Sequence, residues 1–536
     1  MEEEKKNTET TIDVELQNVK EHFATGVSKN ISYRKQQLSN LIRGLKDMES
    51  EFLLALKLDL QRSEYLSKVI EYQHLISEAQ HIKSNLSSWA KAKNVPTPMF
   101  MTPALSYVKY EPLGVVLIMN AWNYPLMGAI QPLATAIGSG NMAIIKTSEV
   151  AKSSSKVIVK LVQKYLDKKA YKVIEGEVEV SKEIITKPFD LIAFTGSSEK
   201  GKLVAEAAAK NLTPCILELG GKCPAIIDKC ANIGHAISKI LVARFSNSGQ
   251  TCVATDYVLV HDDVSSGFKK EFTERLVKEL KNSQSTPETS LDSDKGGIIN
   301  EIHVERIKGY LSENHEGKVL CGVKNQEDLK KIKQKWIPPT IIEDPSLESK
   351  IMTEEIFGPV LPIISYTDIE EAIKFINQRP KPLAVYYFGC PFRGNGKLVR
   401  DSTSSGAFVQ NEAAFQAVHP YLPFGGVGES GYGSYHGEFG FKSFSHPKAC
   451  MTKLPLNFYP FNVASYPFTG LKEFTVMMFL KFGQIGQKKL IKRIIQLLIL
   501  FWIIKGFATG TFQKKWRVYK PMIMMVWGMV KPKFLR

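Results

Sequence analysis

The chain has 536 residues, 44% of them hydrophobic and 23% charged, which is enough for a large core divided into two or three lobes. The formal net charge is +16, yet residues 471–536 hold fourteen Lys and Arg against one acidic residue and so account for +13 of it. The rest of the chain is nearly neutral, and this distribution argues against a nucleic-acid-binding protein.

The seven cysteines indicate a reduced, intracellular protein rather than a disulfide framework. None lie in a Cys-x-x-Cys pair, and Cys215, Cys223 and Cys230 are spaced too widely for a compact zinc site. We therefore predict that the protein binds no metal. The first residues are acidic and lack an apolar segment, so we expect no signal peptide.

Residues 12–92 carry apolar side chains at helical spacing with almost no Gly or Pro, and they predict several amphipathic helices. From Pro96 onward, short apolar runs alternate with amphipathic segments. We predict strands at 112–120, 142–146 and 189–194, and helices at 126–137, 153–166 and 200–210. This alternation indicates an α/β fold with a mostly parallel sheet, which binds ligands at the carboxyl ends of its strands.

A second α/β segment begins near Glu218, with helices predicted at 233–245 and 268–281. Residues 281–335 are charged material rich in Lys, Glu and Asn, and we expect them to form surface.

Two glycine patterns resemble nucleotide-binding motifs. The run from Gly138 to Ala143 matches G-x-G-x-x-A but follows a helix and precedes a strand, so it predicts a helix C-cap and turn. The run from Gly196 is nearly a P-loop, but Leu203 stands where Ser or Thr must hold Mg²⁺, which argues against a P-loop nucleotidase. With Gly201 one turn into the next helix, this segment is either a pyrophosphate site or a simple strand–helix turn.

Three side chains are candidates for covalent chemistry. Cys252 lies on a loop of Gly, Ser, Thr and Gln, where a thiol can be a nucleophile or a structural residue. Glu218 stands between two leucines ahead of two glycines, which suits either a desolvated general base or a glutamate at a sheet edge. Asn123 directly follows a strand, where its amide can donate to an oxyanion or form a turn.

A further group suits cofactor binding. Lys146 ends a predicted strand, with Glu149 three residues on, which places a cation and an acid where they can hold ribose hydroxyls or simply be solvated. Glu355 and Phe357 lie in an apolar, Gly-containing loop that has little specificity by itself.

Taken in order, these stretches resemble the aldehyde dehydrogenase superfamily from about residue 12 to about residue 450. The short N-terminus, the run Thr251-Cys252-Val253-Ala254-Thr255-Asp256-Tyr257-Val258 and the run Tyr435-His436-Gly437 look most like its class 3, fatty-aldehyde branch. Five motifs carry the resemblance: Trp122-Asn123-Tyr124-Pro125, Phe194-Thr195-Gly196-Ser197, Glu218-Leu219-Gly220-Gly221-Lys222, Gly249-Gln250-Thr251-Cys252 and Glu355-Ile356-Phe357-Gly358-Pro359-Val360.

The resemblance implies a role for each matching residue. Cys252 would be the nucleophile, Glu218 the base that activates water, and Asn123 with the Cys252 N–H the oxyanion hole. The cofactor, NAD or alternatively NADP, would be held by the remaining predicted residues. Lys146 and Glu149 would bind the adenosine ribose, Gly196 and Gly201 would pass beneath the pyrophosphate, and Glu355 and Phe357 would position the nicotinamide ribose and ring. We expect local N–H dipoles to favour the Cys252 thiolate.

The resemblance also implies an architecture. A Rossmann-type NAD-binding domain would span 12–217, with a bridging or oligomerisation hairpin at about 97–112. An α/β catalytic domain would span 218–415, residues 416–455 would return to the bridging element, and the chain would form a homodimer.

The basic tail at 471–536 predicts membrane association. The apolar run 494–504 has eleven residues, about 16 Å of helix against a hydrocarbon core of about 30 Å, so it is too short to span. Extension to Phe512 buries Lys505, which costs about 2.5–3.5 kcal/mol at mid-bilayer. We favour a monotopic anchor on a cytosol-facing membrane, the endoplasmic reticulum above all, over a helix that packs on the protein.

These observations predict an enzyme that oxidises medium- to long-chain aliphatic aldehydes to acids with NAD(P)⁺. The alternatives are a CoA-acylating aldehyde dehydrogenase and a catalytically idle, membrane-tethered scaffold.

Overall fold

The computed structural model describes residues 10–98, 101, 103–263, 267–282, 296–332, 335–456 and 462–484. These residues divide into two units. The larger unit contains the described residues up to Lys91 together with Lys109–Lys448, and the smaller contains Ala92–Val108 and the described residues from Ala449 onward.

The α-helices of the described residues are α1 (Thr11–Ala24), α2 (Ile31–Asp47), α3 (Glu49–Leu60), α4 (Glu64–Ser67), α5 (Gln73–Trp89), α6 (Pro125–Ser139), α7 (Lys152–Tyr165), α8 (Val178–Ile184), α9 (Ser198–Ala209), α10 (Ile233–Phe245), α11 (Phe268–Asn282), α12 (Glu301–Ser312), α13 (Gln326–Lys331), α14 (Lys350–Thr353), α15 (Ile369–Asn377), α16 (Gly396–Ser402), α17 (Gly437–Ser443) and α18 (Gly470–Gln484).

The strands are β1 (Lys93–Val95), β2 (Ala104–Pro112), β3 (Val115–Met119), β4 (Met142–Lys146), β5 (Tyr171–Ile174), β6 (Leu191–Gly196), β7 (Cys215–Leu219), β8 (Pro224–Ile227), β9 (Tyr257–His261), β10 (Lys318–Cys321), β11 (Thr340–Glu343), β12 (Val360–Tyr366), β13 (Ala384–Phe388), β14 (Ala407–Gln410), β15 (Gly431–Tyr432) and β16 (Ser445–Lys453).

A six-stranded sheet in the larger unit has the order β15-β7-β6-β3-β4-β5. Strands β3 to β7 run parallel, and the short β15 is antiparallel to β7. From β3 the chain passes outward through β4 to β5 and then returns to β6 on the other side of β3. This reversal makes a switch point between β3 and β6, where doubly wound sheets bind ligands.

A seven-stranded sheet in the same unit has the order β10-β11-β12-β9-β8-β13-β14. All neighbours in it are parallel except β10 and β11. The smaller unit contributes to a three-stranded sheet of order β1-β2-β16.

The strands of the six-stranded sheet form where apolar residues are continuous. Every residue of β3 and of β4 is buried, as is usual for a parallel sheet covered by helices on both faces. The helix α6 begins with Pro125 in its first turn and ends before Gly140, whose φ is 87°. The prediction of a helix C-cap and turn at 138–143 is therefore confirmed.

The predicted elements of the α/β region agree with those observed to within a few residues at each end. The segment 281–335 differs from prediction, because α12 and β10 lie within it and Val304 and Ile307 are buried in the core. Among the described residues, no helix has both the length and the apolar character needed to cross a bilayer. The apolar run predicted at 494–504 lies outside the described residues.

Candidate active site

A cavity of about 1090 Å³ opens at the carboxyl ends of β3, β4, β6 and β7. Eight of the nine residues predicted to act in catalysis or cofactor binding line it, namely Asn123, Lys146, Glu149, Gly196, Glu218, Cys252, Glu355 and Phe357. Positions far apart in the chain thus meet at the edge where parallel sheets bind ligands.

The ninth predicted residue, Gly201, is not among the lining residues. Gly196 is the last residue of β6 and faces the cavity, whereas Gly201 lies within α9. A Cβ added at Gly201 would be 2.6 Å from Leu219 Cδ2, so this glycine permits α9 to pack closely on β7. Ser197 caps α9 by accepting from the N–H of Lys200 at 3.4 Å, and the positive end of this helix faces the cavity, where an anionic ligand is favourable.

A turn of left-handed backbone carries Cys252 to the cavity. Asn247, Ser248 and Gly249 have φ values of 55°, 54° and 74°. Such values are uncommon for residues other than glycine. At Gly249 an added Cβ would lie 2.3 Å from the carbonyl oxygen of Gly358, so only glycine fits. The backbone of this turn is therefore constrained, and it fixes the direction in which the chain enters Cys252.

The buried side chain of Gln250 fastens this turn. Its Nε2 donates to the carbonyl oxygens of Asn247 and Gly297, both at 2.9 Å, and its Oε1 accepts from the N–H of Ile299 at 3.0 Å. Because both ends of the amide are held, the backbone two residues before Cys252 cannot shift without breaking buried hydrogen bonds.

The amide of Asn123 lies beside the same turn. Its Nδ2 donates to the backbone carbonyl oxygen of Gln250 at 3.1 Å, and the backbone carbonyl oxygen of Asn123 accepts from Asn247 Nδ2 at 3.0 Å. An amide nitrogen carries two N–H donors. The second can therefore donate to an oxygen bound in the cavity near Cys252.

Glu218 is a buried carboxyl group at the end of β7. Neither of its carboxyl oxygens has a hydrogen-bond partner within the described part of the chain. Burial raises the pKa of Glu218 well above its usual range, because the charged form is poorly solvated there. A carboxyl group of this kind binds a proton more strongly than a solvated one, as a general base for water should.

Glu355 is the second buried carboxyl group of the cavity. Burial, and after it the charge of Asp256, raises the pKa of Glu355 to about 8, although the N–H of Gly221 partly stabilises the carboxylate. The carboxyl group rests against Gly220, where an added Cβ would lie 2.1 Å from Glu355 Oε2. Gly220 therefore provides the space that Glu355 occupies.

The loop that carries Glu355 is held by a buried ion cluster around Asp256. Lys222 Nζ and Arg244 Nη1 lie 2.5 Å and 2.9 Å from the carboxylate oxygens of Asp256. The backbone N–H of Ile356 donates to Asp256 Oδ1 at 3.3 Å, and Lys222 Nζ also donates to the carbonyl oxygen of Glu354 at 3.0 Å. These bonds fix the backbone on both sides of Glu355.

The environment of Cys252 favours the neutral thiol. Burial, and after it the negative charges of Glu355 and Glu218, raises the pKa of Cys252 to about 12. The N–H groups of Cys252 and Val253 act in the opposite direction, as expected from the sequence, but the larger effects outweigh them. A cationic ligand beside the sulfur would stabilise the thiolate.

Lys146 and Glu149 form an ion pair at the end of β4, with Lys146 Nζ 3.2 Å from Glu149 Oε2. Lys146 is buried and its Nζ also donates to the carbonyl oxygen of Thr147 at 2.7 Å. The Glu149 side chain is about a quarter exposed. It therefore presents a carboxylate to the cavity that can accept hydrogen bonds from hydroxyl groups.

Three residues of α12, His303, Arg306 and Tyr310, line the cavity but were not predicted. Arg306 donates to the carbonyl oxygens of Ile356 at 2.8 Å and Phe357 at 3.1 Å. It thereby holds Phe357, whose φ is 46°, against the ring of Trp122 at a centroid distance of 5.4 Å. The sequence offers no signal for this, because the contacts join segments that no local pattern connects.

The cavity fits a dinucleotide cofactor. Its wall includes the Lys146–Glu149 pair for a ribose, the start of α9 for phosphates and the aromatic ring of Phe357. Glu355 Oε1 is buried and has no hydrogen-bond partner among the described residues, which suits it to accept from a ligand hydroxyl group.

The comparisons with known protein families, sequences and structures all identify aldehyde dehydrogenases as the relatives of this chain. The model of the aldehyde dehydrogenase family matches residues 3–450. The chain is 39% identical over 439 residues to the 4,4'-diaponeurosporen-aldehyde dehydrogenase of Staphylococcus aureus, which covers 81% of this chain and 92% of the relative. It is also 39% identical over 445 residues to aldehyde dehydrogenase family 3 member A2 of Rattus norvegicus, covering 82% and 88%.

A third relative, the dimeric NADP-preferring aldehyde dehydrogenase of Rattus norvegicus, is 38% identical over 442 residues, covering 82% of this chain and 94% of the relative. Among solved structures, the substrate-bound state of Staphylococcus aureus AldH superposes with a TM-score of 0.81 at 38% identity, covering 88% of this chain and all of that one. The chain therefore belongs to the aldehyde dehydrogenase family and is an NAD(P)-dependent aldehyde dehydrogenase with family 3 members among its relatives.

Proposed function

We propose that this enzyme oxidises medium- to long-chain aliphatic aldehydes to carboxylic acids, with Cys252 as the nucleophile. The observation that carries the proposal is that a thiol, a buried carboxyl group and an amide donor, from Cys252, Glu218 and Asn123, face one cavity beside a dinucleotide-type switch point. Apolar side chains also line this cavity and suit an aliphatic chain, among them Ile70, Met127, Val242, Phe415 and Val418.

In the acylation half of the reaction, the Cys252 thiolate attacks the aldehyde carbon and forms a tetrahedral alkoxide. The side-chain N–H of Asn123 and the backbone N–H of Cys252 donate to its oxygen, and one such donor contributes roughly 10²–10³ in rate. Bound NAD(P)⁺ supplies the hydride acceptor, and collapse of the alkoxide leaves a thioester on Cys252.

In the hydrolytic half, Glu218 removes a proton from water, which attacks the thioester and releases the acid. A positioned general base contributes on the order of 10²–10⁴ in rate. The raised pKa of Glu218 supports this role, since it makes the carboxylate a stronger base than a solvated glutamate.

Cofactor binding follows the same residues. Lys146 and Glu149 hold the adenosine ribose, Gly196 leaves room for the pyrophosphate, and Glu355 and Phe357 position the nicotinamide ribose and ring. An acidic ribose ligand such as Glu149 disfavours the additional phosphate of NADP. We therefore propose NAD as the main cofactor, with NADP as the alternative.

The C-terminal tail supports association with a cytosol-facing membrane, with the endoplasmic reticulum as the proposed location. Exposed apolar side chains on α18, including Leu471, Phe474 and Met477, stand at the start of the basic tail. Basic residues near an anionic leaflet contribute about 1 kcal/mol each. We also propose a homodimer, with an NAD-binding domain at 12–217, a catalytic domain at 218–415, and residues 97–112 and 416–455 as the bridging or oligomerisation element.

An assay of NADH formation tests the proposal. Saturated aldehydes from hexanal to octadecanal would be supplied with and without CoA, and the products identified as acid or acyl-CoA. We expect free acid without CoA and higher kcat/KM for the longer aldehydes. Activity that requires CoA would favour an acylating dehydrogenase, and no turnover with any aldehyde would favour an inactive scaffold.

A further inference from the structure

A buried ion pair between Arg62 and Glu71 lies behind the catalytic turn. Both side chains are fully buried, and Arg62 Nη1 donates to Glu71 Oε2. A buried ion pair is weak evidence for stability, because desolvation of both charges offsets much of their attraction. The role of this ion pair is therefore better judged from the other groups to which Arg62 and Glu71 are hydrogen-bonded.

The guanidinium group of Arg62 contacts both segments that form the candidate oxyanion hole. Its Nε donates to Asn247 Oδ1 at 2.8 Å, within the left-handed turn that precedes Cys252. Its Nη2 donates to the backbone carbonyl oxygen of Asn123. The planar guanidinium thus spans the backbone of the amide donor and the turn that carries the nucleophile.

Glu71 extends this arrangement to the start of α6. Its Oε1 accepts from the N–H groups of Leu126 at 2.8 Å and Met127 at 2.9 Å, in the first turn of the helix that follows Asn123. A carboxylate is favourable at this end of a helix. Arg62 therefore holds the carbonyl oxygen of Asn123, while its ionic partner holds the helix immediately after it.

Further contacts join the same two segments. Asn247 Nδ2 donates to the carbonyl oxygens of Asn123 and Gln250, each at 3.0 Å. The hydroxyl groups of Tyr124 and Thr251 lie 2.9 Å apart, and the Arg62 guanidinium lies 4.6 Å from the centroid of the Tyr124 ring. Movement of Arg62 would therefore change the distance between the Asn123 amide and Cys252.

We propose that Arg62, supported by Glu71, is a positioning residue that sets the oxyanion hole by holding Asn123 at a fixed distance from Cys252. This inference rests on the proposed function, since it requires Asn123 to stabilise an alkoxide. Misplacement of a catalytic group by about 1 Å can lower the rate on the order of 10²-fold. A lysine retains the charge at position 62 but cannot reach three acceptors with a planar fork.

A double-mutant cycle between positions 62 and 123 tests this role. We expect Arg62→Lys to lower kcat by roughly 10–100-fold and Asn123→Ala by roughly 10²–10³-fold. In the Asn123→Ala background, Arg62→Lys should change kcat by less than about threefold, because the donor that Arg62 positions is already absent. The KM for NAD should stay within about twofold, since Arg62 has no contact with the proposed cofactor residues.

Arg34→Lys is the matched control. Arg34 is also buried and donates to the carbonyl oxygens of Ser28 and Gly138, away from the catalytic turn. The fold-decrease in kcat caused by Arg34→Lys should be the same in the wild-type and Asn123→Ala backgrounds, as for two independent sites. If Arg62→Lys behaved in the same way, Arg62 would have only a general structural role, and the positioning proposal would be overturned.

Two further outcomes separate this proposal from the proposed function. If Asn123→Ala had normal kcat, the oxyanion role would be wrong and the positioning role with it. If Arg62→Lys failed to fold, Glu71→Gln would replace it in the cycle, because this substitution preserves the shape of the side chain while weakening its hold on Arg62. If Glu71→Gln lowered kcat by the same factor with and without Asn123→Ala, the positioning role would be excluded.

A separate observation concerns two cysteines away from the cavity. Cys230 and Cys390 follow the adjacent parallel strands β8 and β13, in which Ile227 pairs with Phe388. The N–H of Cys390 donates to Cys230 Sγ at 2.9 Å, and Cys390 Sγ lies 3.6 Å from the carbonyl oxygen of Cys230. Each sulfur thus lies against the backbone of the other residue.

The geometry points to a reversible disulfide site between Cys230 and Cys390, with a low-molecular-weight disulfide such as oxidised glutathione as the oxidant. Cys230 is solvent-exposed, so its thiolate can attack the oxidant and release one glutathione thiol. The Cys390 thiolate then attacks Cys230 Sγ and releases the second. One S–S bond forms in the protein, two thiol protons are lost, and one oxidised glutathione becomes two reduced molecules.

The cross-link would connect to the cavity wall through Asn411. The Asn411 side chain donates to the carbonyl oxygen of Gly389 at 2.9 Å and accepts from its N–H at 3.0 Å. A few residues later, Phe415 and Val418 line the cavity. Oxidation at Cys230 and Cys390 would therefore restrain the segment that leads into this wall.

Peptide mapping under non-reducing conditions tests the site after the full-length protein is incubated with oxidised glutathione. We expect one linked peptide that contains Cys230 and Cys390, its disappearance after reduction, and its absence in Cys230→Ser. Cys321→Ser is the control and should retain the linked peptide, because Cys321 is buried elsewhere. Glutathione attached to Cys230 alone, or no modification at either residue, would overturn this inference.

Discussion

The carboxyl group of Glu355 occupies the space that a side chain at Gly220 would fill. A Cβ built on Gly220 lies 2.1 Å from Glu355 Oε2 and 2.7 Å from its Cδ, which is far inside van der Waals contact. Gly220 directly follows β7, whereas Glu355 lies in the loop before β12. The ion cluster around Asp256 holds this loop through the N–H of Ile356. The position of Glu355 in the cavity therefore depends on the absence of a side chain at 220.

This relationship predicts the effect of Gly220→Ala. The added methyl group must displace Glu355, so we expect the KM for NAD to rise by at least tenfold while the aldehyde KM changes less. Gly309→Ala in α12 is the control, because a Cβ there meets no atom within 4 Å. A normal KM for NAD in Gly220→Ala would show that Glu355 does not bind the cofactor.

Removal of the nucleophile gives the second prediction. Cys252→Ala should show no detectable aldehyde oxidation, since no other side chain named in the proposed mechanism can form the thioester. Cys321→Ala should retain activity, because Cys321 packs in the core of the seven-stranded sheet and does not line the cavity. Substantial NADH formation by Cys252→Ala would exclude the proposed mechanism.

Glu218→Gln should separate the two halves of the reaction. The amide cannot accept a proton from water, so steady-state turnover should fall by about 10²-fold or more. The NADH burst of the first turnover should persist, as acylation does not require this base. Stopped-flow absorbance at 340 nm measures both phases. Loss of the burst as well would assign Glu218 a different role.

A matched control for that experiment is Glu78→Gln. Glu78 is also buried, and its Oε1 accepts from the N–H of Gly437 at 2.9 Å. This variant should preserve the ratio of burst to steady-state rate even if its stability is reduced.

The pH dependence of stability provides a fourth prediction. The pKa of Glu355 is about 8 in the folded protein against an ordinary value of 4.5. Between these values the folded state binds the proton more strongly than the unfolded state, so the free energy of unfolding should decrease as pH rises through this window. Glu355→Gln should therefore flatten the decline of Tm between about pH 5 and pH 8 in the protein without cofactor. If the slope of Tm against pH were the same in Glu355→Gln as in the wild type, groups other than Glu355 would be responsible for the pH dependence.

Deletion of residues 471–536 addresses the membrane proposal. The truncated protein should no longer sediment with vesicles of phosphatidylcholine and phosphatidylserine, whereas the full chain should, and should do so less at high salt. Turnover of a short, water-soluble aldehyde should be retained by the truncated protein. Equal sedimentation of both proteins would show that the tail is not the anchor.

The sequence predicts part of the site because several of its residues lie at the ends of apolar strands. Lys146 and Gly196 end strands of continuous hydrophobicity, and the parallel-sheet rule places their positions at one edge. What could not be predicted depends on contacts between distant segments. Arg62 contacts residues that lie 9, 61 and 185 positions away, and no local pattern marks it.

The segment around α12 illustrates a second limit. Its charged composition predicts surface, but His303 and Arg306 use polar groups to line the cavity and hold the Phe357 loop. Composition reports the average exposure of a segment and cannot identify which polar residues are turned inward. The net direction of the Cys252 pKa shift could not be predicted for a similar reason, since it depends first on the burial of the thiol and then on the charges of Glu355 and Glu218 from other segments.

The left-handed backbone at 247–249 orients the sulfur of Cys252 before any substrate arrives. The conformational freedom that this orientation removes is lost once, when the chain folds, and not again in each catalytic cycle. The aldehyde therefore meets a nucleophile that is already aimed, and its own contacts serve to hold it there rather than to shape the site.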